Sequence, residues 1–245
     1  MAADIRVHLY ALCWNEARLL PFFFQNYDPA VDRYFIFDNG STDGSLDLLR
    51  NHPKVTLGEF KVHGPSFVQA AQEFYNRCWK PSRGHADWVI ICNIDEHLYH
   101  PDLRRYLASR SPRISLIVPR GFDMVSETFP SPNRPLRQQV VMGRRDKLLD
   151  KPQLFRPDRI RETNFEPGRH TADTGWRVRR LRTGEVKLLH YKFLGLDYYV
   201  SRLRELRQGL ERYDIARGWG FQYLWDEQRK QEEFHKVQKE AILIP

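Results

Sequence analysis

The sequence predicts an α/β fold, with a doubly wound, mostly parallel sheet and a helical C-terminal extension. Short apolar, partly β-branched segments alternate with segments of helical spacing over roughly residues 5–118. This alternation is typical of parallel strands joined by helices that cover both faces of a sheet. After residue 195, apolar residues recur at helical spacing and arginines fill the opposite face.

The elements are predicted in the following order along the chain. Strands are expected at residues 5–12, 33–37, 55–60, 88–92, 114–118 and 185–191. Helices are expected at residues 16–27, 46–51, 67–79, 101–109, 196–217 and 221–240. Asn15 is the predicted N-cap of the first helix, although Pro21 indicates that this helix begins later or kinks. The three prolines in residues 129–135 predict a loop.

The composition restricts the class of protein. The chain has 245 residues, a net charge of +8 and 41% hydrophobic residues, so it can form a sizeable core. No apolar run approaches the roughly 18 residues of a membrane-spanning helix, and no secretory signal is recognisable. We therefore expect a cytoplasmic protein. The positive charge favours anionic partners, namely nucleotide phosphates, nucleic acid or an anionic membrane surface.

Two adjacent carboxylates, Asp95 and Glu96, lie just beyond the apolar strand predicted at residues 88–92. Ligands of open α/β sheets bind outside the carboxyl ends of the strands, and carboxylate oxygens suit Mg²⁺ or Mn²⁺. We therefore predict both as metal ligands. The alternative is an ordinary polar strand end that turns into solvent.

Polar side chains also follow the first and second predicted strands. Asp38 and Asn39 begin an Asp-Asn-Gly-Ser-Thr-Asp-Gly-Ser segment, which lacks the lysine and spacing of a P-loop. We predict that Asp38 and Asn39 contact a ligand and that Asp43 shapes the turn. Asn15 and Glu16 are candidates for the same ligand, or for the start of a helix. All these strand ends are expected to meet at one edge of the sheet.

The sequence resembles glycosyltransferase family 2-like proteins of the GT-A fold, in a bacterial branch of that group. The motifs that carry the resemblance are Cys13–Glu16, Leu20–Pro21, Ile36–Ser45 and Asp87–Glu96. The similarity covers roughly residues 5–118. The segment 188–192, Leu-Leu-His-Tyr-Lys, and the arginine-rich helix after it are similar to the C-terminal part of such proteins.

The resemblance implies a metal-dependent, inverting transfer of a sugar from a nucleotide-diphosphate sugar, UDP- or GDP-linked, to an acceptor hydroxyl. The acceptor would be a glycan or a lipid-linked precursor in polysaccharide biosynthesis. The catalytic domain would span residues 1–195, with a nucleotide-binding half at about 1–118 and an acceptor-side half at about 119–195. Residues 196–245 would form the C-terminal extension.

The resemblance also assigns residue roles. Asp38 would contact the base, and Asn93-Ile94-Asp95 would stand at the D-x-D position, where Asn93 replaces the usual first Asp. Asn93 can still bond a ribose hydroxyl, but it brings no charge to a metal. His190 is a further candidate metal ligand, because GT-A proteins often supply a late histidine.

The acceptor-side half offers candidates for the general base and for diphosphate contacts. An inverting mechanism requires one general base, for which we predict Asp123 or Glu127. Lys151 and His170 are predicted donor-binding residues, the lysine as a point charge on the diphosphate. For the arginine-rich helix, packing on the core is preferred over peripheral contact with an anionic membrane, and its arginines are expected to be solvated.

Three other functions remain open on the sequence. A sugar-phosphate nucleotidyltransferase would use a similar sheet and metal ion. A basic nucleic-acid-binding module is disfavoured, because no nucleic-acid-binding motif is recognisable in the sequence. Nucleic acid is therefore not expected as a partner. The third alternative is a transferase-like scaffold with weak catalytic activity, because the uncharged Asn93 would reduce the affinity for a metal ion.

Overall fold

The computed structural model describes residues 4–245, in which ten strands form a single sheet. The strands are β1 (Val7–Cys13), β2 (Arg33–Asp38), β3 (Val55–Glu59), β4 (Trp88–Ile91), β5 (Glu96–Tyr99), β6 (Leu116–Ser126), β7 (Met142–Arg145), β8 (Leu154–Phe155), β9 (Arg180–Leu194) and β10 (Ile242–Leu243). The α-helices are α1 (Leu20–Tyr27), α2 (Ser45–Asn51), α3 (Phe67–Tyr75), α4 (Leu103–Ala108), α5 (Leu136–Gln139), α6 (Leu196–Gln208), α7 (Arg212–Ala216) and α8 (Glu227–Glu240).

Within the sheet, hydrogen-bonded neighbours follow the order β10-β7-β6-β8-β4-β1-β2-β3, and β9 pairs with both β5 and β6. The β3-β2-β1-β4 part is parallel, as is the long pairing of β6 with β9. The short strands β7, β8 and β10 and the pairing of β5 with β9 are antiparallel. More paired residues lie in parallel than in antiparallel ladders, so the predicted α/β class is confirmed.

Strand β4 shows why the sheet is covered on both faces. All four of its residues are buried, and alternate side chains point to opposite faces of a strand. Trp88 and Ile90 belong to one core cluster, whereas Val89 and Ile91 belong to another. A continuous apolar strand is what a sheet buried on both sides requires.

The register brings three strand ends to one edge of the sheet. Cys13 at the end of β1 pairs with Asp38, and Ile91 in β4 pairs with Tyr10, three residues before Cys13. The residues that follow Ile91 therefore reach the level of Asp38. Because β1 lies between β2 and β4, the two ends are about 10 Å apart, twice the usual strand spacing.

Several element boundaries differ from the predicted ones. Helix α1 begins at Leu20, with Pro21 in its first turn, so Asn15 is not its N-cap. Asn15 instead adopts a left-handed backbone conformation, with φ of 53°. Strand β6 is longer than predicted and includes Asp123. Strand β5 begins at Glu96 and was not predicted.

The C-terminal extension is an integral part of the fold. Phe234 and Val237 of α8 pack with Val125 of β6 and Phe193 of β9 in a third core cluster. The chain then returns to the sheet, where β10 pairs with β7. Within residues 4–245, no helix has the combined length and apolarity needed to cross a bilayer.

Candidate functional site

Asp38 is the last residue of β2, and only one of its two carboxylate oxygens has hydrogen-bond partners among residues 4–245. One oxygen, Oδ2, accepts hydrogen bonds of 2.9 Å from the backbone N–H groups of Gly40 and Ser41. The other oxygen, Oδ1, is buried and has no hydrogen-bond partner among residues 4–245. Asp38 is 5% exposed, and an unsatisfied buried acceptor is costly. The Oδ1 atom is therefore a candidate contact for a ligand N–H or hydroxyl.

The loop after Asp38 is held in place by the loop after β1. Asn15 accepts a 2.8 Å bond from the Thr42 N–H at its side-chain oxygen, and its own N–H donates to the Ser41 hydroxyl over 2.9 Å. Asp43 accepts from the N–H groups of Ala17 and Ser45, at 2.9 and 3.0 Å. Asp43 thus has the predicted structural role. Asn15 lies at the predicted site, but its side chain is already occupied by this loop.

Glu96 lies in a buried cluster of charges. It is 1% exposed, and its two carboxylate oxygens accept bonds from Lys151 Nζ at 2.5 Å and from Arg169 Nη2 at 2.8 Å. Burial alone would raise the pKa of Glu96, but Lys151 and Arg169 outweigh it and lower the pKa far below its ordinary value. The carboxylate is thus ionised and committed to two cations.

This cluster also contains two predicted donor-binding residues. The Asn93 side-chain oxygen accepts from Arg169 Nη1 at 3.1 Å and from the Tyr75 hydroxyl at 3.3 Å. Lys151 is buried against Glu96. The geometry gives Glu96, Asn93 and Lys151 a structural role, because each already has its partners inside the protein. Their predicted ligand contacts stay predictions that this geometry does not favour.

Asp95 points into a second and more accessible cluster. Its side chain is 26% exposed, and its Oδ2 lies 3.2 Å from His190 Nε2. The other ring nitrogen, His190 Nδ1, lies 2.8 Å from Asp123 Oδ1. Asp123 also accepts from Arg144 Nη2 at 3.3 Å. The structure therefore joins three predicted site residues, Asp95, His190 and Asp123, in one chain of contacts.

The charge states of Asp95, His190 and Asp123 depend on one another. Burial would lower the pKa of His190, but the charge of Asp95 and the hydrogen bonds to Asp123 and Asp95 raise it to about 10. Burial would likewise raise the pKa values of Asp95 and Asp123, but His190 lowers both. Without a metal ion, the imidazole is therefore protonated at neutral pH and donates a hydrogen bond to each carboxylate.

The C-terminal helix α6 supplies a further part of the site. Arg202 Nη2 donates to Glu16 Oε1 at 2.6 Å and to the Trp14 carbonyl at 3.0 Å. Glu205 accepts from Asn15 Nδ2 at 2.6 Å. Burial and the charge of Asp95 raise the pKa of Glu16 to about 8, against the lowering effect of Arg202. The Glu16 side chain is thus engaged by a residue 186 positions later in the chain, and its predicted ligand contact stays a prediction.

Two cations of this site were missed by sequence reasoning. The predicted solvated arginines include Arg202, whose side chain is only 14% exposed, so that prediction is wrong for this residue. Lys192 lies on β9 two residues after His190, and burial lowers its pKa while Asp123 and Asp95 raise it. Strand periodicity places His190 and Lys192 on one face, and this signal could have found the lysine.

The remaining predicted residues lie outside these clusters. Glu127 is exposed just after β6, beside α6. The His170 ring nitrogen Nδ1 contacts the Leu148 carbonyl at 2.8 Å, next to Arg169. Asn39 is partly buried, and its backbone N–H donates to the Cys13 carbonyl. Across residues 4–245, no group of three or more His, Cys, Asp or Glu side chains is arranged to hold a metal ion.

Comparisons with known proteins give only distant similarities. No family model matches the sequence, and no curated protein matches it. A proposed nucleotide-diphospho-sugar transferase from Desulfovibrio desulfuricans G20 aligns with 94% of this chain and 99% of its own, at 10% identity and a TM-score of 0.37. A 4-diphosphocytidyl-2C-methyl-D-erythritol synthase aligns with 64% of this chain and 78% of its own, at 10% identity and a TM-score of 0.37. A mycobacterial protein aligns over 50% of this chain and only 42% of its own length, at 14% identity and a TM-score of 0.33. At these identities and TM-scores the similarities carry no information on activity.

We expect Glu96→Gln to reduce the free energy of unfolding by about 3–5 kcal/mol, because it leaves Lys151 and Arg169 buried without their counter-charge. Urea unfolding followed by circular dichroism measures this change. Glu127→Gln is the matched control at an exposed position and should stay within about 0.5 kcal/mol of the wild type. A Glu96→Gln protein of normal stability with impaired metal binding would instead support the metal role predicted from sequence.

His190 should make the protein less stable as the pH rises from about 6.5 to about 10. The folded state raises the pKa of His190 above that of the unfolded chain, so its contribution is complete below pH 6.5 and disappears through pH 10. Each pH unit in this window should cost up to about 1.4 kcal/mol. Urea unfolding in EDTA should show a steeper decline for the wild type than for His190→Gln. Equal slopes would mean that His190 is neutral in the fold.

Proposed function

We propose that this protein transfers a sugar from a nucleoside-diphosphate donor to an acceptor hydroxyl, with Mn²⁺ or Mg²⁺ bound by Asp95 and His190. The observation that carries the proposal is the contact between these two residues, with Asp123 on the other side of the imidazole. It lies at the sheet edge where Asp38 keeps a buried oxygen that no group of residues 4–245 contacts by a hydrogen bond. Ligands of open α/β sheets bind at this edge.

The Asp95–His190 pair fits a divalent ion. Its 3.2 Å separation suits two neighbouring ligands that are each about 2.0–2.2 Å from one metal. Metal-binding histidines usually donate their second N–H to a carboxylate, as His190 does to Asp123. Two protein ligands are typical of Mg²⁺ sites that are completed by water and substrate phosphates. An ion would take the place of the proton on His190 Nε2.

The nucleoside would lie between Asp38 and Asp95. The strand order separates these residues by about 10 Å, which leaves room for a nucleoside whose base meets Asp38 and whose diphosphate meets the ion. The buried Asp38 Oδ1 would accept a bond from a base N–H. Asn39, the next residue, is the neighbouring candidate for this contact. This arrangement would satisfy the unpaired oxygen that the protein alone leaves.

The chemistry requires stabilisation of the leaving diphosphate and removal of one proton. A bound divalent ion would offset the charge that develops on the diphosphate. Arg202 and Lys192 supply positive charge close to Asp95.

Of the two candidate bases, Asp123 is occupied by His190 and Arg144, whereas Glu127 has no side-chain partner among residues 4–245. We therefore retain Glu127 as the proposed general base, which would make the reaction a single inverting displacement.

Thermal shift and calorimetric titrations with UDP- and GDP-sugars, with and without Mn²⁺, test the donor assignment. We expect stabilisation by one class of nucleotide-sugar, larger with Mn²⁺, because the ion joins Asp95 and the diphosphate. A preference for a nucleoside triphosphate with a sugar phosphate, and release of pyrophosphate, would favour a nucleotidyltransferase. Absence of any nucleotide effect would refute the proposal.

The metal assignment predicts a graded loss of Mn²⁺ affinity. Asp95→Ala should abolish measurable Mn²⁺ binding and turnover while the fold is kept. Asp123→Asn should weaken Mn²⁺ binding by about 10–100-fold, because it acts through the orientation of His190. Asp47→Asn, exposed on α2, is the control and should bind as the wild type does. Calorimetry of the apoprotein measures all three, and unchanged affinity in Asp95→Ala would refute the site.

A further inference from the structure

A cavity of about 680 Å³ lies where β6 and β9 end and α6 begins. Its volume is within the range of ligand pockets in proteins, roughly 300–1,000 Å³. The side chains with distinctive chemistry in its wall are Arg18, Glu127, Phe129, Asp197 and Tyr198. Because β6 and β9 are parallel, this position is again outside the carboxyl ends of neighbouring strands.

The cavity is close to the Asp95–His190 pair. Asp123 and His190 are paired in the register of β6 and β9, and Ser126 and Leu194 are paired near the ends of the same strands. The two pairs are three residues apart on β6 and four apart on β9, which corresponds to roughly 10–13 Å. Tyr198 lines the cavity, and the centroid of its ring lies 4.7 Å from that of Phe129, another lining residue.

The polar groups of the cavity wall are available to a ligand. Glu127 and Asp197 are exposed, and no hydrogen bond or ion pair engages their carboxylates within residues 4–245. Arg18 is exposed and is held over the rings of Phe129 and Tyr198, at 3.8 and 4.9 Å from their centroids. Carboxylates accept bonds from hydroxyl groups, whereas a guanidinium donates them.

The charged side chains that line the cavity nearly balance one another. Arg204 and Glu227 both line it and form a two-bond ion pair, at 3.0 and 2.6 Å, so their charges offset each other. The remaining charges are two carboxylates against one guanidinium. The cavity is therefore slightly acidic although the chain as a whole carries a net charge of +8. An excess of one negative charge favours neutral or cationic ligand groups over anionic ones such as phosphates and uronic acids.

We propose that this cavity binds the acceptor, and that the acceptor ends in a neutral or amino sugar rather than in an acidic or phosphorylated one. This inference rests on the proposed sugar transfer and adds the class of the second substrate. Asp197 would accept bonds from sugar hydroxyls or from an ammonium group. Glu127, in the wall of the same cavity, would receive the proton of the reacting hydroxyl.

Saturation-transfer NMR on the full chain tests the inference directly. The probes are methyl glycosides of a neutral hexose and an amino hexose, methyl glucuronide and a hexose phosphate. We expect the first two to bind and the last two to bind at least tenfold more weakly. Asp197→Asn should weaken the binding of the amino hexose about tenfold or more, because a charged hydrogen bond is lost. Asp47→Asn, exposed on α2 outside this cavity, should bind all probes as the wild type does.

The outcomes separate this inference from the proposed function. Nucleotide-sugar binding without any glycoside signal, or equal glycoside binding by Asp197→Asn and wild type, would overturn the acceptor site alone. Preference for the glucuronide or the phosphate would overturn the assigned substrate class. Glycoside binding that depends on Asp197, in a protein that binds no nucleotide, would keep the cavity as a carbohydrate site and refute sugar transfer.

Discussion

The site depends on the ion cluster that Glu96 forms with Lys151 and Arg169. Glu96 is almost completely buried, and the cost of removing its charge from water is offset by the two cations Lys151 and Arg169. The same cluster fixes the turn after β4, since the Asn93 N–H donates to Glu96 at 3.1 Å. The Tyr27 hydroxyl adds a bond of 2.9 Å to the Glu96 carbonyl. With Glu96 held inside, its neighbour Asp95 is turned to the accessible side.

Two adjacent carboxylates thus have different roles because their surroundings differ. Glu96 has two cationic partners and is removed from solvent, whereas Asp95 is partly exposed and pairs with His190, the pair to which we assign the proposed metal ion. Different environments shift the pKa values of neighbouring carboxyl groups apart, and similar groups can then have different roles. Strand pairing reinforces it, because β5 and β9 bring Glu96 opposite His190 and thereby place Asp95 beside the imidazole.

The C-terminal extension packs against β6 and β9 and also contacts residues that follow β1 and begin α3. Arg202 and Glu205 of α6 bind Glu16 and Asn15 after β1, and the buried Asp214 of α7 accepts from the Phe67 N–H at the start of α3. The extension also closes one side of the cavity that we assign to the acceptor. A donor site on one side of α6 and an acceptor site on the other would give this helix a role in aligning two substrates.

The sequence by itself determined the mostly parallel α/β sheet, most element positions and the sheet edge where the candidate site lies. These features follow from local patterns. The periodicity of a strand or helix, and the polar residues at the end of a strand, can be recognised from residues that are close together in the sequence. Only the tertiary structure decided that Glu96 is committed to Lys151 and Arg169, that Asp123 orients His190, and that Arg202 is buried against Glu16. These contacts join residues 55 to 186 positions apart, and a charge in a sequence does not reveal its partner. Burial and pairing, which decide whether a carboxylate serves structure or a ligand, exist only once the chain is folded.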